Sequence, residues 1–262
     1  MHRLYIVNGN NITKNIMTMK KVVSILLVAS LALASLFVLD SCSSSRKTAN
    51  KVAMNAPNYK QIKRTVESKS SEFYYPELLR RFQAADTTMT AEQLYYFYYG
   101  TATRPDYNPY RLSNYDGLKE ALGGDEVTEE GWRKAAQVVD EELELDPTNL
   151  RFHVYRQMVY SNLYGKESQE AADAYNQVIM LFSTITSSGN GKTPETAFQV
   201  ISTTDEYGMM DMMGLSLKSQ SLIERHGRSY DLMEFQENKY DLESLYFDVT
   251  VCMEAMHKAF GF

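Results

Sequence analysis

Apolar positions along the chain occur first as one solid run and then as helical stripes. Val22 to Leu39 is interrupted only by Ser24, Ser30 and Ser35. From Tyr59 the spacing turns helical: Tyr59, Ile62 and Val66 recur with Lys60, Lys63 and Arg64 outside them, which predicts an amphipathic helix. Pro76 suits a first helical turn, with Leu78, Leu79 and Phe82 as the inward stripe. Thr90 and Gln93 form a capping box for a helix from Ala91 to Tyr99, with Gly100 as its stop. Tyr95, Tyr96, Phe97, Tyr98 and Tyr99 spread over every face of that helix, so it should be packed on more than one side. Pro105, Asn108, Pro109 and Asn114 then break the period and predict a loop of about a dozen residues.

A short helix follows over Leu118 to Leu122. Thr128 caps a longer one carrying Trp132, Ala136, Val139 and Leu143 inward, its first turn favoured by Glu129 and Glu130. Asp146-Pro147 ends that helix and caps the next, which buries Phe152, Tyr155, Val159 and Leu163 and stops at Gly165. A third helix presents Ala171, Tyr175, Val178, Phe182 and Ile185. After Gly189-Asn190-Gly191 the period becomes alternating. Strands are predicted at Phe198 to Ile201, Leu217 to Ile223, Tyr230 to Phe235 and Leu245 to Val249, with a helix at Asp205 to Leu215 and a last one at Thr250 to Phe260. The fold class is α+β: an N-terminal helical body with repeat-like antiparallel helices, then a small C-terminal antiparallel sheet with one or two helices. Trp132 to Asn149 resembles half of a tetratricopeptide repeat, although Gln157 stands where a small residue is expected.

The apolar run changes what the chain is for. Met19-Lys20-Lys21 precedes it and Leu39-Asp40-Ser41-Cys42 closes it, the arrangement of a signal peptide cut before a cysteine that then carries lipid. The alternative is an uncleaved anchor helix. Residues 1–41 are therefore expected to be a signal peptide, 1–18 an overcalled start with Met19 as initiator, 42–57 a flexible tether, 58–190 the helical region and 191–262 a small α+β region packed on it. Export to the envelope follows, with a membrane held through Cys42.

Removing the leader takes away Arg3, Lys14, Lys20 and Lys21 but only Asp40, so the formal net charge moves from −6 to −9. An acidic body of this kind argues against a nucleic-acid partner, which needs a clustered positive face. With Cys42 lipidated, Cys252 has no partner for an intrachain disulfide, and between Val251 and Met253 it reads as an inert buried thiol.

No constellation for chemistry stands out, and no catalytic residue, cofactor or metal is expected. Gly191-Lys192-Thr193 lacks the glycine and the preceding strand of a phosphate loop. Met209, Met210, Met212 and Met213 read as core packing around Met209 and Met213 before they read as copper ligands. His153, His226 and His257 form no HExxH pair, and no GxSxG is present. Asp140, Glu141, Glu142, Glu144 and Asp146 read as a solvated face. The most informative block runs from Phe73 to Tyr115, with 12 aromatics in 43 residues. These rings are either core or a ligand or partner surface. Within it Tyr107 and Tyr110, beside Arg104, Asp106 and Arg111 in the irregular loop, are the residues expected to be exposed.

Several runs carry a resemblance. Phe73-Tyr74-Tyr75-Pro76, Leu94-Tyr95-Tyr96-Phe97-Tyr98-Tyr99-Gly100, Asp106-Tyr107-Asn108-Pro109-Tyr110, Ala197-Phe198-Gln199-Val200-Ile201, Asp205-Glu206-Tyr207 and Tyr246-Phe247-Asp248 are similar to segments of a lipoprotein family called domain of unknown function 4919. The resemblance covers about residues 58 to 262 and implies no activity and no catalytic residues. In bacteria carrying such lipoproteins an acidic run after the lipidated cysteine directs display at the cell surface. Ser43-Ser44-Ser45-Arg46-Lys47 stand there instead, so the periplasmic face is expected. The expected function is a noncatalytic binding or scaffold module that holds an envelope protein. The alternative is glycan or peptidoglycan-fragment binding through the tyrosine-rich loop, and after that an unrecognised hydrolase.

Overall fold

The computed structural model describes residues 56–124 and 126–261. The expected signal peptide (residues 1–41), Cys42 and most of the expected tether lie outside the described residues. Among those described, no helix is long and apolar enough to cross a membrane.

Among the described residues seven α-helices and a 3-10 turn (Pro194–Thr196) precede the first strand: α1 (Tyr59–Glu67), α2 (Tyr75–Gln83), α3 (Ala91–Thr101), α4 (Tyr115–Ala121), α5 (Glu129–Leu145), α6 (Leu150–Leu163) and α7 (Gln169–Thr186). Their starts are written locally. Asn58, Asn114, Thr128, Asn149 and Ser168 each accept a hydrogen bond from a first-turn N–H, and Thr90 with Gln93 forms the reciprocal capping box, which satisfies donors a helix leaves orphaned. The sheet region adds β1 (Phe198–Gln199), α8 (Thr203–Met213), β2 (Leu217–Arg225), β3 (Arg228–Phe235), β4 (Ser244–Asp248) and α9 (Thr250–Phe260). The α+β class holds.

The sheet is mixed rather than antiparallel. Its order is β1-β4-β3-β2, with β2 to β3 and β3 to β4 antiparallel and β1 parallel to β4. Residue alternation is the same for either direction of pairing, and α8 lies between β1 and β2, so their neighbours were not readable from it. Strand β1 is also two residues long, not four, and pairs as Phe198 with Phe247 and Gln199 with Asp248. At the β2–β3 turn His226 and Gly227 have φ of 53° and 72°, the left-handed pair that a two-residue hairpin needs to match strand twist.

Other local expectations shift for tertiary reasons. Gly100 does not stop α3 but lies inside it, where an added Cβ would come within 3.1 Å of Val66 Cγ1; the glycine serves the approach of α1. Asn149, not Asp146, caps α6, while Asp146 accepts from Thr148 instead. Tyr175 is exposed, and the buried stripe of α7 runs through Ala171, Ala174, Val178, Leu181 and Ile185. In α8 the two methionines wholly in the core are Met209 and Met210, with Met212 and Met213 half-buried.

One apolar cluster joins the two regions. Phe97, Tyr98 and Tyr99 of α3 belong to the same buried cluster as Val178 and Ile185 of α7, Phe198 and Phe247 of the sheet, and Cys252 of α9. The tyrosines are polar ties as well as filler. Tyr98 Oη donates to Asp205 Oδ2 at 2.7 Å and accepts from Ile201 N, and Tyr99 Oη donates to Gln199 O at 3.1 Å. The expectation that α3 is packed on several sides is met in this way. Helix α8 crosses α6 at Gly208, where a Cβ would sit 2.8 Å from Arg151 N. Gly208→Ala must push two backbones apart and should cost about 2 kcal/mol or more, read as a lower urea midpoint with an unchanged slope.

Candidate functional site: a groove beneath the tyrosine-rich loop

The irregular segment between α3 and α4 is held by side chains at both ends. Arg104 donates twice to Asp106, at 3.0 Å each, and its guanidinium lies 4.6 Å from the centre of the Tyr75 ring. Asp106 is held below the usual carboxylate range by the Arg104 hydrogen bond, and Arg104 is raised by the same contact. At the far end Arg111 reaches Glu142 of α5 with a 2.6 Å ion pair, and Asn114 N donates to the other Glu142 oxygen at 3.0 Å. Glu142 is thus buried. That corrects its placement on a solvated acidic face: the loop, which shares no period with α5, folds over it.

The two loop tyrosines behave differently. Tyr107 is half-buried with its hydroxyl turned inward, donating to Ile201 O at 2.5 Å and lying 3.9 Å from Cys252 Sγ; burial pushes that hydroxyl far up from its ordinary value. Tyr107 is therefore not an open stacking face with a free hydroxyl. Tyr110 is 37 % exposed and rests its hydroxyl on Met253 Sδ at 3.4 Å, and burial raises its pKa to about 12.

Four of the five loop residues, Arg104, Asp106, Tyr107 and Arg111, line one groove of about 140 Å³ between the loop and the α5–α6 turn; Tyr110 does not. Leu145 and Asp146 form the opposite wall. Asp146 is raised from its ordinary value by burial, opposed by the hydrogen bonds from Thr148. Every charged group facing the groove from the loop is thus already engaged by the protein. On the opposite wall Leu145 is 68 % exposed and Glu144 is exposed with no ion pair among the described residues, and Leu112, outside the lining but next to Arg111, is 93 % exposed. Sequence periodicity could not mark Leu145, because α5 ends there, nor Leu112, because the loop has no period.

The remaining candidates resolve into structural roles. Gly191 has φ of 67° and leaves no room for a Cβ, which would lie 2.6 Å from Leu245 and 2.7 Å from Phe198. Its carbonyl receives Tyr246 N at 2.8 Å, so it seats the sheet edge. His153 is buried, with Nε2 2.9 Å from Pro147 O, and burial lowers its pKa to about 4. Among the described residues no histidine is hydrogen-bonded to a serine, threonine or cysteine. No group of three His, Cys, Asp or Glu there is placed to hold a metal ion. Cys252 is a free, buried thiol among the described residues, raised well above its ordinary value by burial. Asp205, Glu206 and Asp231 are buried carboxyls that the sequence did not single out. Asp205 and Glu206 occupy the first turn of α8, where acidic residues ordinarily face solvent, and neither cleft reaches them.

The profile of a family described as domain of unknown function (DUF4919) matches residues 60–258. No curated protein and no solved structure matches the chain.

Proposed function

Because the chain belongs to the DUF4919 family, whose description carries no activity, we propose from its own residues that it is a noncatalytic, lipid-anchored binding protein of the cell envelope. Its partner is another envelope protein that inserts an apolar side chain into the groove beneath the tyrosine-rich loop. The observation that supports this is the exposure of Leu145 on the groove wall and of Leu112 close by, next to loop charges that pair within the protein. Isolated exposed leucines are common on surfaces. Leu145 on the groove wall and Leu112 beside the loop, with the exposed Glu144 at the edge, suit an apolar anchor surrounded by a polar rim. The succession α5, α6 and α7 is the repeat-like scaffold that presents the groove.

Anchorage is argued from the sequence alone: the basic start, the apolar run and Leu39-Asp40-Ser41-Cys42. Cys42 carries the lipid, residues 42–57 are the tether, and Ser43 to Lys47 favour the periplasmic face. Mass spectrometry of protein from native cells will find an N-terminus at an acylated Cys42, and Cys42→Ser will release the chain from the membrane fraction. A retained leader or a bare thiol would refute the anchor.

The docking reading is tested in intact cells with Leu112→Ser and Leu145→Ser combined. Both sites are exposed, so the melting temperature should move by less than about 2 °C. A crosslinked species formed by the wild type should be lost in the double variant. Identical crosslinks in both proteins, or none in either, would remove the groove from consideration.

A further inference from the structure

The groove just described is not the only cleft among the described residues. Another, of about 200 Å³, opens between the start of α1, strand β1 and the first turn of α9, and shares no residue with the groove. It is built of polar side chains held in fixed positions. Asp248, 3 % exposed, lies at its base. The Asp248 Oδ2 atom receives Arg228 Nε at 2.7 Å and Nη2 at 2.6 Å, and Oδ1 receives Thr250 N at 3.0 Å. Gln199 bridges the pair, accepting from Arg228 Nη2 at 3.2 Å and reaching Asp248 Oδ2 at 3.4 Å. Tyr59 closes one side.

Counting donors and acceptors shows what is left over. Of the five N–H groups of Arg228, three serve Asp248 and Gln199 and the Tyr230 hydroxyl is within reach of the guanidinium, so at least one is left over. The Tyr59 hydroxyl makes no hydrogen bond among the described residues, although its pKa is raised well above its ordinary value, first by burial. Asp248 Oδ1 retains a second lone pair. The residues that carry these groups line one space, and the ion pair at its base has no net charge.

We propose that this cleft binds an uncharged sugar ring, free or at the end of a glycan, through Arg228, Asp248, Gln199 and Tyr59. An anion finds the arginine neutralised by Asp248 and meets Glu254 on the cleft wall. A cation meets Arg228. A ring of hydroxyls donates and accepts at each position and so matches a mixed set that a charged ligand leaves half unpaired. The Tyr59 ring and Val251 supply the apolar side that the C–H face of a sugar needs. The size agrees, since a cavity of about 150 Å³ holds a six-membered benzene ring. Partner docking at the loop groove can fail while this site stands, because no side chain is common to both.

The experiment is saturation-transfer NMR on the full chain with glucose, galactose, mannose and N-acetylglucosamine, each at up to about 10 mM, a range that detects dissociation constants near 1 mM. At least one sugar should receive saturation on its ring protons. Tyr59→Phe, which removes only an unpaired hydroxyl, should leave the melting temperature unchanged and weaken binding about fivefold, the usual worth of one hydrogen bond. Gln199→Leu should weaken it further, with a folded chain checked by the same melt. Leu112→Ser should leave it unaltered, which separates this cleft from the groove. No saturation of any of the four sugars would overturn the proposal. So would equal binding by wild type and Tyr59→Phe, or preferential binding of phosphate or ammonium.

Discussion

Glu206→Gln will raise the melting temperature of this protein at pH 8 and flatten its dependence on pH. Glu206 is 0 % exposed, and neither carboxyl oxygen has a hydrogen-bond partner among the described residues. Burial, followed by the neighbouring Asp231 carboxylate, pushes it well above the usual carboxylate range. A proton on Glu206 answers both facts, because the neutral acid can donate to Asp231. Asp205, one residue earlier, is raised to about 8 by burial, although Tyr98 and Leu150 N donate to it at 2.7 and 3.1 Å and oppose the shift.

The sign follows from the two states. Both groups take up protons more readily in the folded chain than in the unfolded one, so their contribution is fully present below pH about 4 and is lost as pH rises toward the folded values. For Asp205 that window runs from its ordinary 3.8 to about 8. At about 1.4 kcal/mol per pKa unit the span is on the order of 5 kcal/mol. That corresponds to a fall of roughly 10 to 20 °C in melting temperature for a domain this size. Glutamine stays neutral throughout and keeps an N–H for Asp231, so the variant should lose part of the slope. Calorimetry from pH 4 to 8 reads this directly. A wild-type melting temperature that is level or climbs across that range would contradict the account of these carboxyls.

Glu142→Ala is expected to unfasten the segment between α3 and α4 and to destabilise the whole chain by about 3 kcal/mol. The wild-type carboxylate holds Arg111 at 2.6 Å and Asn114 N at 3.0 Å. Removing it leaves a partly buried guanidinium, whose Nε already has no partner among the described residues, and an orphaned backbone donor. Breaking one side of a buried pair costs more than the pair contributes, since the remaining charge stays in poor solvent. Glu142→Gln keeps an acceptor for Asn114 N and should lose about half as much. Limited proteolysis should cut the alanine variant between residues 102 and 114 at a protease level that leaves the wild type whole. Equal cleavage of the two would show that the loop is held by its apolar contacts alone.

How far the residues spoke for themselves varied by feature. Helix starts were legible at Thr90 and Thr128, where a side chain caps its own first turn, because such a bond closes within three residues. The loop was legible from its prolines and asparagines, and four of its five chosen residues do share one groove. The inward turn of the Tyr107 hydroxyl was not, since its acceptor is Ile201 O, 94 residues away in the chain. Glu142 looked like its acidic neighbours on α5, and only the loop crossing over it tells it apart. The second cleft was invisible for the same reason: Tyr59, Gln199, Arg228 and Asp248 belong to four separate elements.

By itself the sequence determined the α+β class, the number and order of the helices in the body and the chain's place in its family, because these rest on periodicity, capping and motif runs within short windows. The tertiary structure alone decided the parallel pairing of β1 with β4, the burial of Asp205, Glu206 and Glu142, and the composition of both clefts. Each of those depends on which distant segments meet. A local pattern records the face a residue shows, and the fold supplies what stands opposite it.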